Sequence, residues 1–415
     1  MTARLLNIFL RGATLASRFA LLFCLAKYLR PADVGEYGIV FATINYVLFI
    51  LGLDFYTFST RELIGSPREQ WSRILKSQAA FVVVCYAVTM PVLAVIVSQS
   101  SALPRKLIAW FFLLLVIEHL GQEINRLLVA MSRPLLASVV LFVRSAAWVV
   151  VAAMAMVFVP DSRSLSWIFG MWTCGGTLAI AIGVSAFARL DWSANVAPID
   201  WGWILRGIKV AVPLLTATLA TRLLFTGDRY LERIVAGDDI LGAYTFYVGI
   251  AGSLLGFLDA AVLSFASPRL VATIRSNNKA AAIQVFKEFA QSTIALVAAF
   301  VLVCALTIDP VLKVVGKRIY STHMDMFYLL LAGSAMYCLS MVPHYGLYAH
   351  GEDRSLIAAN IFGCVVFFGV FSIVVSSLAE LAVPVSLLCA FTAILISKIF
   401  LYRKFCVPGT GLVSQ

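Results

Sequence analysis

The sequence predicts an all-α polytopic membrane protein, with about twelve transmembrane helices in two six-helix bundles related by pseudo-twofold symmetry. Three observations predict it. Hydrophobic residues make up 61% of the chain and charged residues 13%, with a mean hydropathy of +0.94. That charge is about half the average for a soluble protein. The apolar runs are continuous over about 20 residues instead of alternating over about ten, which selects helical spans over a β-barrel. Finally, short motifs of the first half return in the second.

The first apolar run, 8–28, is interrupted by cations. Asn7, Arg11, Thr14 and Arg18 fall on one narrow stripe of a helix turning about 100° per residue. A guanidinium at bilayer depth costs at least about 2.5–3.5 kcal/mol on insertion scales, so it normally faces a bundle interior or a water-filled cavity. Arg11 and Arg18 lie about 10 Å apart along such a helix. That spacing suits a diphosphate and a neighbouring acidic sugar. Arginine fits the task because its planar fork pairs with phosphate and keeps its charge when desolvated. Snorkelling to the headgroups is the competing account for Arg11. For Arg18, deeper in the span, snorkelling is harder. The same arginines, with no small-residue cleavage site behind them, argue for a retained first helix and against a signal peptide.

Runs at 38–60, 77–97 and 107–130 supply the next three spans. Asp54 sits near the end of the second and is a candidate proton or sodium site; simple access to interfacial water is the alternative. The fourth ends Glu118-His119-Leu-Gly-Gln122-Glu123-Ile-Asn125-Arg126. Glu118, Gln122 and Asn125 share one face, and His119, Gln122 and Arg126 an adjoining one. This face is too polar for lipid, so it is expected to line a cavity or to pack against the arginines of the first span. Glu118 is a candidate structural partner of an arginine and a candidate ion-coupling carboxylate. His119 with Glu118 and Glu123 lacks zinc-ligand spacing, and no metal site is expected. Runs at 136–158, which carries Arg144, and 165–188 complete the half.

A polar stretch from Arg189 to Trp203, with one proline and the tryptophans Trp192, Trp201 and Trp203, reads as a linker along the membrane interface. The expected division is a lobe at 1–190, a linker at 191–204 and a lobe at 205–415. Spans follow at 206–226, 241–265, 289–308, 326–349, 355–377 and 382–402. The seventh carries Lys209, Pro213, Thr218 and Arg222, and a proline-bent helix is a common flank of a transport site. The eighth carries Asp259, an isolated acid matching Asp54 in the other half and a second candidate for ion coupling. His344 is a lone polar residue of the tenth.

The halves echo one another. Gly35-Glu-Tyr37 is matched by Gly242-Ala-Tyr244, and Phe58-Ser-Thr-Arg61-Glu-Leu63 by Phe265-Ala-Ser-Pro268-Arg269-Leu270. Parallel repeats related by an axis along the membrane normal are a common transporter plan, with the substrate path between them.

An even number of spans puts both termini on one side. With both termini cytoplasmic, the inner segments hold 15 basic residues against 10 outside, the direction the positive-inside rule requires. The net charge of +11 therefore serves topology and does not indicate nucleic-acid binding. The eight cysteines are scattered with no CxxC pair and form no disulfide framework. No nucleophile–base arrangement or Gly-rich phosphate loop stands in the chain, so no catalytic residues, enzyme activity or resident cofactor are expected.

The stretch Ala26-Lys-Tyr-Leu-Arg-Pro-Ala-Asp-Val-Gly-Glu-Tyr37, with Leu51-Gly-Leu-Asp54 and Arg61 beyond it, resembles the first two helices of polysaccharide repeat-unit flippases. These belong to the multidrug/oligosaccharidyl-lipid/polysaccharide exporter superfamily. Gly227-Asp228-Arg229-Tyr-Leu and Leu241-Gly242-Ala-Tyr244 resemble its connection between the seventh and eighth helices. The resemblance implies two bundles exposing a central cavity alternately to each side, and export of polyprenyl-diphosphate-linked oligosaccharide for lipopolysaccharide or exopolysaccharide across a bacterial inner membrane. It implies a polysaccharide polymerase and a chain-length regulator as neighbours, membrane lipids as contacts, a monomer, and coupling to H+ or Na+. Joined to the residues above, it makes Arg11, Arg18, Arg126 and Arg222 the substrate-binding candidates, with Asp54, Glu118 and Asp259 for ion coupling. The rival readings are a cation-coupled multidrug exporter, disfavoured by an arginine-rich cavity, and a membrane-embedded glycosyltransferase or polymer ligase on the same carrier. The second would be expected to present a large periplasmic loop with paired acids or a basic catalytic motif, whereas the outer loops here are short.

Overall fold

The computed structural model describes residues 2–99, 103–189, 198–276 and 278–406, and its regular elements are helical throughout. Apolar runs leave the backbone no partner in lipid but itself, and the helix satisfies every internal amide and carbonyl within one segment. The helices of the first half are α1 (Thr2–Tyr28), α2 (Pro31–Gly52), α3 (Tyr56–Gly65), α4 (Trp71–Gln99), α5 (Arg105–Ala130), α6 (Pro134–Phe142), α7 (Trp148–Phe158) and α8 (Leu165–Val184). A π-helical turn, Val143–Ala147, joins α6 to α7 into one span. Then come α9 (Trp201–Leu258), a second π turn at Asp259–Leu263, α10 (Ser264–Arg275), α11 (Lys279–Val315) and α12 (Arg318–Thr322). The last four are α13 (Met324–Leu339), α14 (Met341–Ala349), α15 (Asp353–Val374) and α16 (Ala382–Cys406).

Ten stretches among the described residues are long and apolar enough to cross a membrane. One of them, Arg222–Arg275, runs to 54 residues and is interrupted at Gly237, whose φ of 84° only glycine adopts without strain. The helix before that break begins at Trp201 and passes through Pro213, so this region supplies two crossings. α1, with 27 residues and a length of about 40 Å, is a further membrane-length helix outside the ten. Among the described residues this makes twelve membrane-length helical crossings, the number that the apolar runs predicted.

Both boundaries of the second span differ from the sequence reading. The second span starts at Pro31, not 38, because Pro31 fits the first helical position and its polar neighbours are paired. Arg30 grips Asp33 through two bonds of 2.9 Å, and Lys106 meets Glu36 at 2.9 Å. The same span stops at Gly52 instead of 60, because Leu53 (φ 47°) and Asp54 (φ 52°) turn left-handed before α3 begins. Residues 191–197 of the proposed linker, with Trp192, lie outside the described residues. Its far end is pinned to α4: Asp200 pairs with Arg73 at 3.2 Å, accepts from the Trp203 amide at 2.8 Å and donates its own amide to Ser77.

The chain divides into two compact units, Met1–Leu29 with Glu36–Arg222, and Arg30–Gly35 with Leu223–Gln415. In the first, α5 lies close against α8. A Cβ on Gly176 would strike Ile117, and one on Gly183 would strike Ile124, so glycines one heptad apart let the two helices meet as small-residue membrane interfaces do. Phe55, Phe81 and Trp203 form an aromatic core at one end, with Phe55 and Phe81 stacked at 4.1 Å.

In the second unit α16 packs between α13, α14 and α15, and α10 and α11 close over a core including Leu254, Phe289 and Met341. Both echo glycines stand at one crossing within this unit. The Pro31 carbonyl occupies the place where a Cβ of Gly242 would go, and a Cβ on Gly35 would meet the Asp238 carbonyl at 3.0 Å.

Candidate functional site: two polar clusters along α5

The first cluster surrounds Arg18. Thr14 and Ser17, just before it on α1, are buried, and the Ser17 hydroxyl reaches the Ser145 carbonyl at 3.5 Å, tying α1 to the π turn of the fifth span. That turn carries Arg144. A π turn displaces the regular hydrogen-bond ladder, and the Trp148 indole donates to the Arg144 carbonyl at 2.8 Å. Gly121 on α5 leaves room for the Arg144 stem: a Cβ there would stand 2.8 Å from Arg144 Cδ. Arg144 thereby reaches Glu118, with Nη1 3.6 Å from Oε2 and 3.3 Å from the Glu118 carbonyl. Trp172 on α8 donates its indole N–H to the other carboxylate oxygen at 2.6 Å and stacks on Trp148 at 6.0 Å. Both charged side chains of the pair are nearly buried, at 12% and 14% exposure.

Arg18 is the remaining cation. It interacts electrostatically with Tyr37, Arg144 and Glu118, yet among the described residues it makes no hydrogen bond or ion pair, and it is exposed. Glu118 balances Arg144, so the local surplus of one positive charge belongs to Arg18.

The second cluster lies about 12 Å further along α5, taking Glu118 to Arg126 at 1.5 Å per residue. Arg126 pairs with Glu123 at 2.7 Å and lies 3.5 Å from the centre of the Tyr56 ring. Glu123 also accepts from Gln78 at 2.8 Å. Asp54, only 6% exposed, accepts from the Thr218 hydroxyl and interacts electrostatically with Arg126, Arg222 and Glu123. Arg222 is exposed and sits 4.8 Å over the Phe49 ring. Two acids and two arginines make this cluster neutral overall. Within the unit, three of the residues selected from sequence, Asp54, Arg126 and Arg222, thus come together, and Arg18 and Glu118 form the other group.

Asp259 opens the π turn after α9, is exposed, and interacts with Tyr345. The Arg11 side chain lies outside the described residues. His119 is buried against Tyr86, whose hydroxyl is 2.9 Å from Nδ1.

Sequence reasoning missed a third cluster, in the second unit. Tyr244 is fully buried and donates to Asp228 at 2.6 Å. Arg229 holds both Asp228 oxygens at 3.0 and 3.2 Å. Glu232, one turn on, is fully buried, and neither of its carboxylate oxygens has a hydrogen-bond partner. The four-residue spacing of Asp228 and Glu232 was the available signal. Lys398, 1% exposed in α16 with its ammonium 6.0 Å from the Tyr337 ring, was also missed.

Solved structures share the fold. An inward-facing multidrug resistance MATE family transporter of the MOP superfamily aligns with a TM-score of 0.76 at 13% identity, covering 95% of this chain and 97% of the other. An outward-facing member aligns at 0.63 and 13% identity over 96% and 93%. A point mutant of the Vibrio cholerae MATE transporter VcmN aligns at 0.57 and 12% identity over 97% and 98%. No curated protein matches the chain. A family model described as polysaccharide biosynthesis protein matches residues 8–274, which takes in α1 to α9, both clusters along α5 and the Asp228 cluster. The protein, a multi-pass membrane protein with a transporter fold, belongs to the polysaccharide biosynthesis protein family.

Proposed function

We propose that this protein is a flippase that carries polyprenyl-diphosphate-linked oligosaccharide from the cytoplasmic to the periplasmic leaflet of a bacterial inner membrane, with both termini in the cytoplasm. The single observation that carries the reading is Arg18, a cation left over after Glu118 and Arg144 have paired. A guanidinium exposed beside a bundle interior is a receptor for phosphate or a sugar carboxylate. The head group occupies the polar site while the polyprenyl tail stays in the bilayer. That route spares the sugar hydroxyls the several kcal/mol each would cost, unpaired, in hydrocarbon. Alternating exposure of the site to the two membrane faces completes transport. A proton or sodium gradient acting through Asp54, Glu118 or Asp259, or consumption of product outside, supplies direction. A polysaccharide polymerase and a chain-length regulator are the expected downstream partners, and the acting form is a monomer.

The likeness to multidrug transporters favours one other reading, a cation-coupled drug exporter. An unpaired arginine repels the cationic compounds such an exporter commonly takes. Proteoliposomes holding the purified protein and a fluorescent carrier-linked oligosaccharide separate the two. The flippase reading requires protein-dependent loss of the label to an external glycosidase. Cationic dye efflux with no movement of the glycolipid would replace it with the exporter.

A further inference from the structure

α11 has 37 residues and is about 55 Å long, whereas a hydrocarbon core of about 30 Å takes about 20 residues. Its apolar run begins at Phe289, so Lys279–Glu288 projects from the hydrocarbon into the headgroup layer beside α10. Between Ser264 and Ser292 the chain carries Arg269, Arg275, Lys279 and Lys287 against a single acid, Glu288. All four cations are exposed.

At this level α10 and α11 enclose a pocket of about 150 Å³. Phe265, Val285 and Phe289 wall it, with Arg269 and Glu288 among its polar lining. Phe265 is 60% exposed, offering an apolar edge that continues outward from the pocket. The Arg269–Glu288 pair is loose at 3.7 Å, with side chains 66% and 47% exposed, and Glu288 is already held by Gln284 at 2.8 Å. The Arg269 guanidinium makes no hydrogen bond among the described residues. Arg269 is the cation of the lining, and Arg275, Lys279 and Lys287 on the flanking segment make the surroundings of the aromatic wall net positive, an arrangement that suits a phosphate at Arg269 and an acyl chain along Phe265.

We infer that the pocket between α10 and α11 binds an anionic phospholipid of the surrounding membrane. The positive field distinguishes phosphatidylglycerol from the zwitterionic phosphatidylcholine, whose headgroup has the same phosphate and no net charge. Glu288 opposes the anion and limits affinity.

Native mass spectrometry of the full-length detergent-solubilised protein, titrated with each lipid, tests this. The wild type should retain phosphatidylglycerol over phosphatidylcholine. R269A and K287A should each lower that retention about fivefold, the weight of one cation near an anionic lipid. E288Q should raise retention, a change in the opposite direction that misfolding does not produce. Equal retention of both lipids by the wild type, or unchanged retention in all three variants, would overturn the inference. So would displacement of phosphatidylglycerol by an equimolar polyprenyl diphosphate, which would make the pocket a station on the substrate path.

Discussion

Arg144 closes on Glu118, with a guanidinium nitrogen 3.6 Å from the carboxylate and 3.3 Å from the Glu118 main-chain oxygen. The acid on α5 that stood as a candidate partner for the arginine of the first span is held by the fifth span instead, and Trp172 takes its other oxygen. Arg18 keeps its charge unspent as a consequence. The pairing gives Glu118 a partner within the bundle, and a coupling role for it requires that the pair open.

Breaking the pair from one side should strand a nearly buried charge. E118A or R144A should each lower stability in detergent by about 3–5 kcal/mol, and the double variant should recover part of that loss. Thermal unfolding of the purified variants checks this. Additive losses in the double variant would show that the two side chains act independently.

The crossing of Pro31 with Gly242 has no room for a methyl group, because the obstacle is main chain and not a movable side chain. G242A should therefore reduce yield and thermal stability strongly. G252A, a helical position with no heavy atom within 4 Å of the added Cβ, should be neutral or slightly stabilising. Yield and melting temperature of the two variants, measured side by side, decide the point.

Tyr244 and Tyr37 are the tyrosines of the repeated Gly-x-Tyr motif, and each lies beside charge on the preceding helix: Asp228 for Tyr244, Arg18 for Tyr37. Y244F keeps the ring and removes one hydrogen bond to a buried carboxylate. A loss of about 1.5–3 kcal/mol is expected by thermal or denaturant unfolding in detergent. An unchanged melting temperature would mean that Arg229 alone satisfies Asp228.

Helix number and order were legible in the apolar runs, because in lipid a long apolar segment has no alternative to the helix. The motif echo marked a crossing with main chain against main chain, since only glycine tolerates the Pro31 carbonyl at the Cβ site of position 242. The left-handed turn at Leu53 and Asp54 was hidden: neither residue is a glycine or proline, and hydropathy continues smoothly past it. The Glu118–Arg144 pair was hidden for another reason. It depends on a π turn that re-aims Arg144, and nothing in local composition marks that turn. Glu232 escaped notice because low hydropathy around Asp228 suggested a loop, whereas the segment is helix and buries both Asp228 and Glu232. The sequence marked Arg18 as an intramembrane arginine, but not that it would make no ion pair among the described residues.

The most direct measurement is flipping of carrier-linked oligosaccharide by R18A in proteoliposomes, alongside R18K and wild type at matched insertion. Arg18 as a substrate ligand predicts that R18A inserts normally and loses flipping by about tenfold or more, the equivalent of one charge-assisted hydrogen bond. R18K should recover only part of the rate, because an ammonium keeps the charge and loses the paired fork. Flipping by R18A at the wild-type rate would contradict the account and leave Arg18 a surface residue reaching for the headgroups.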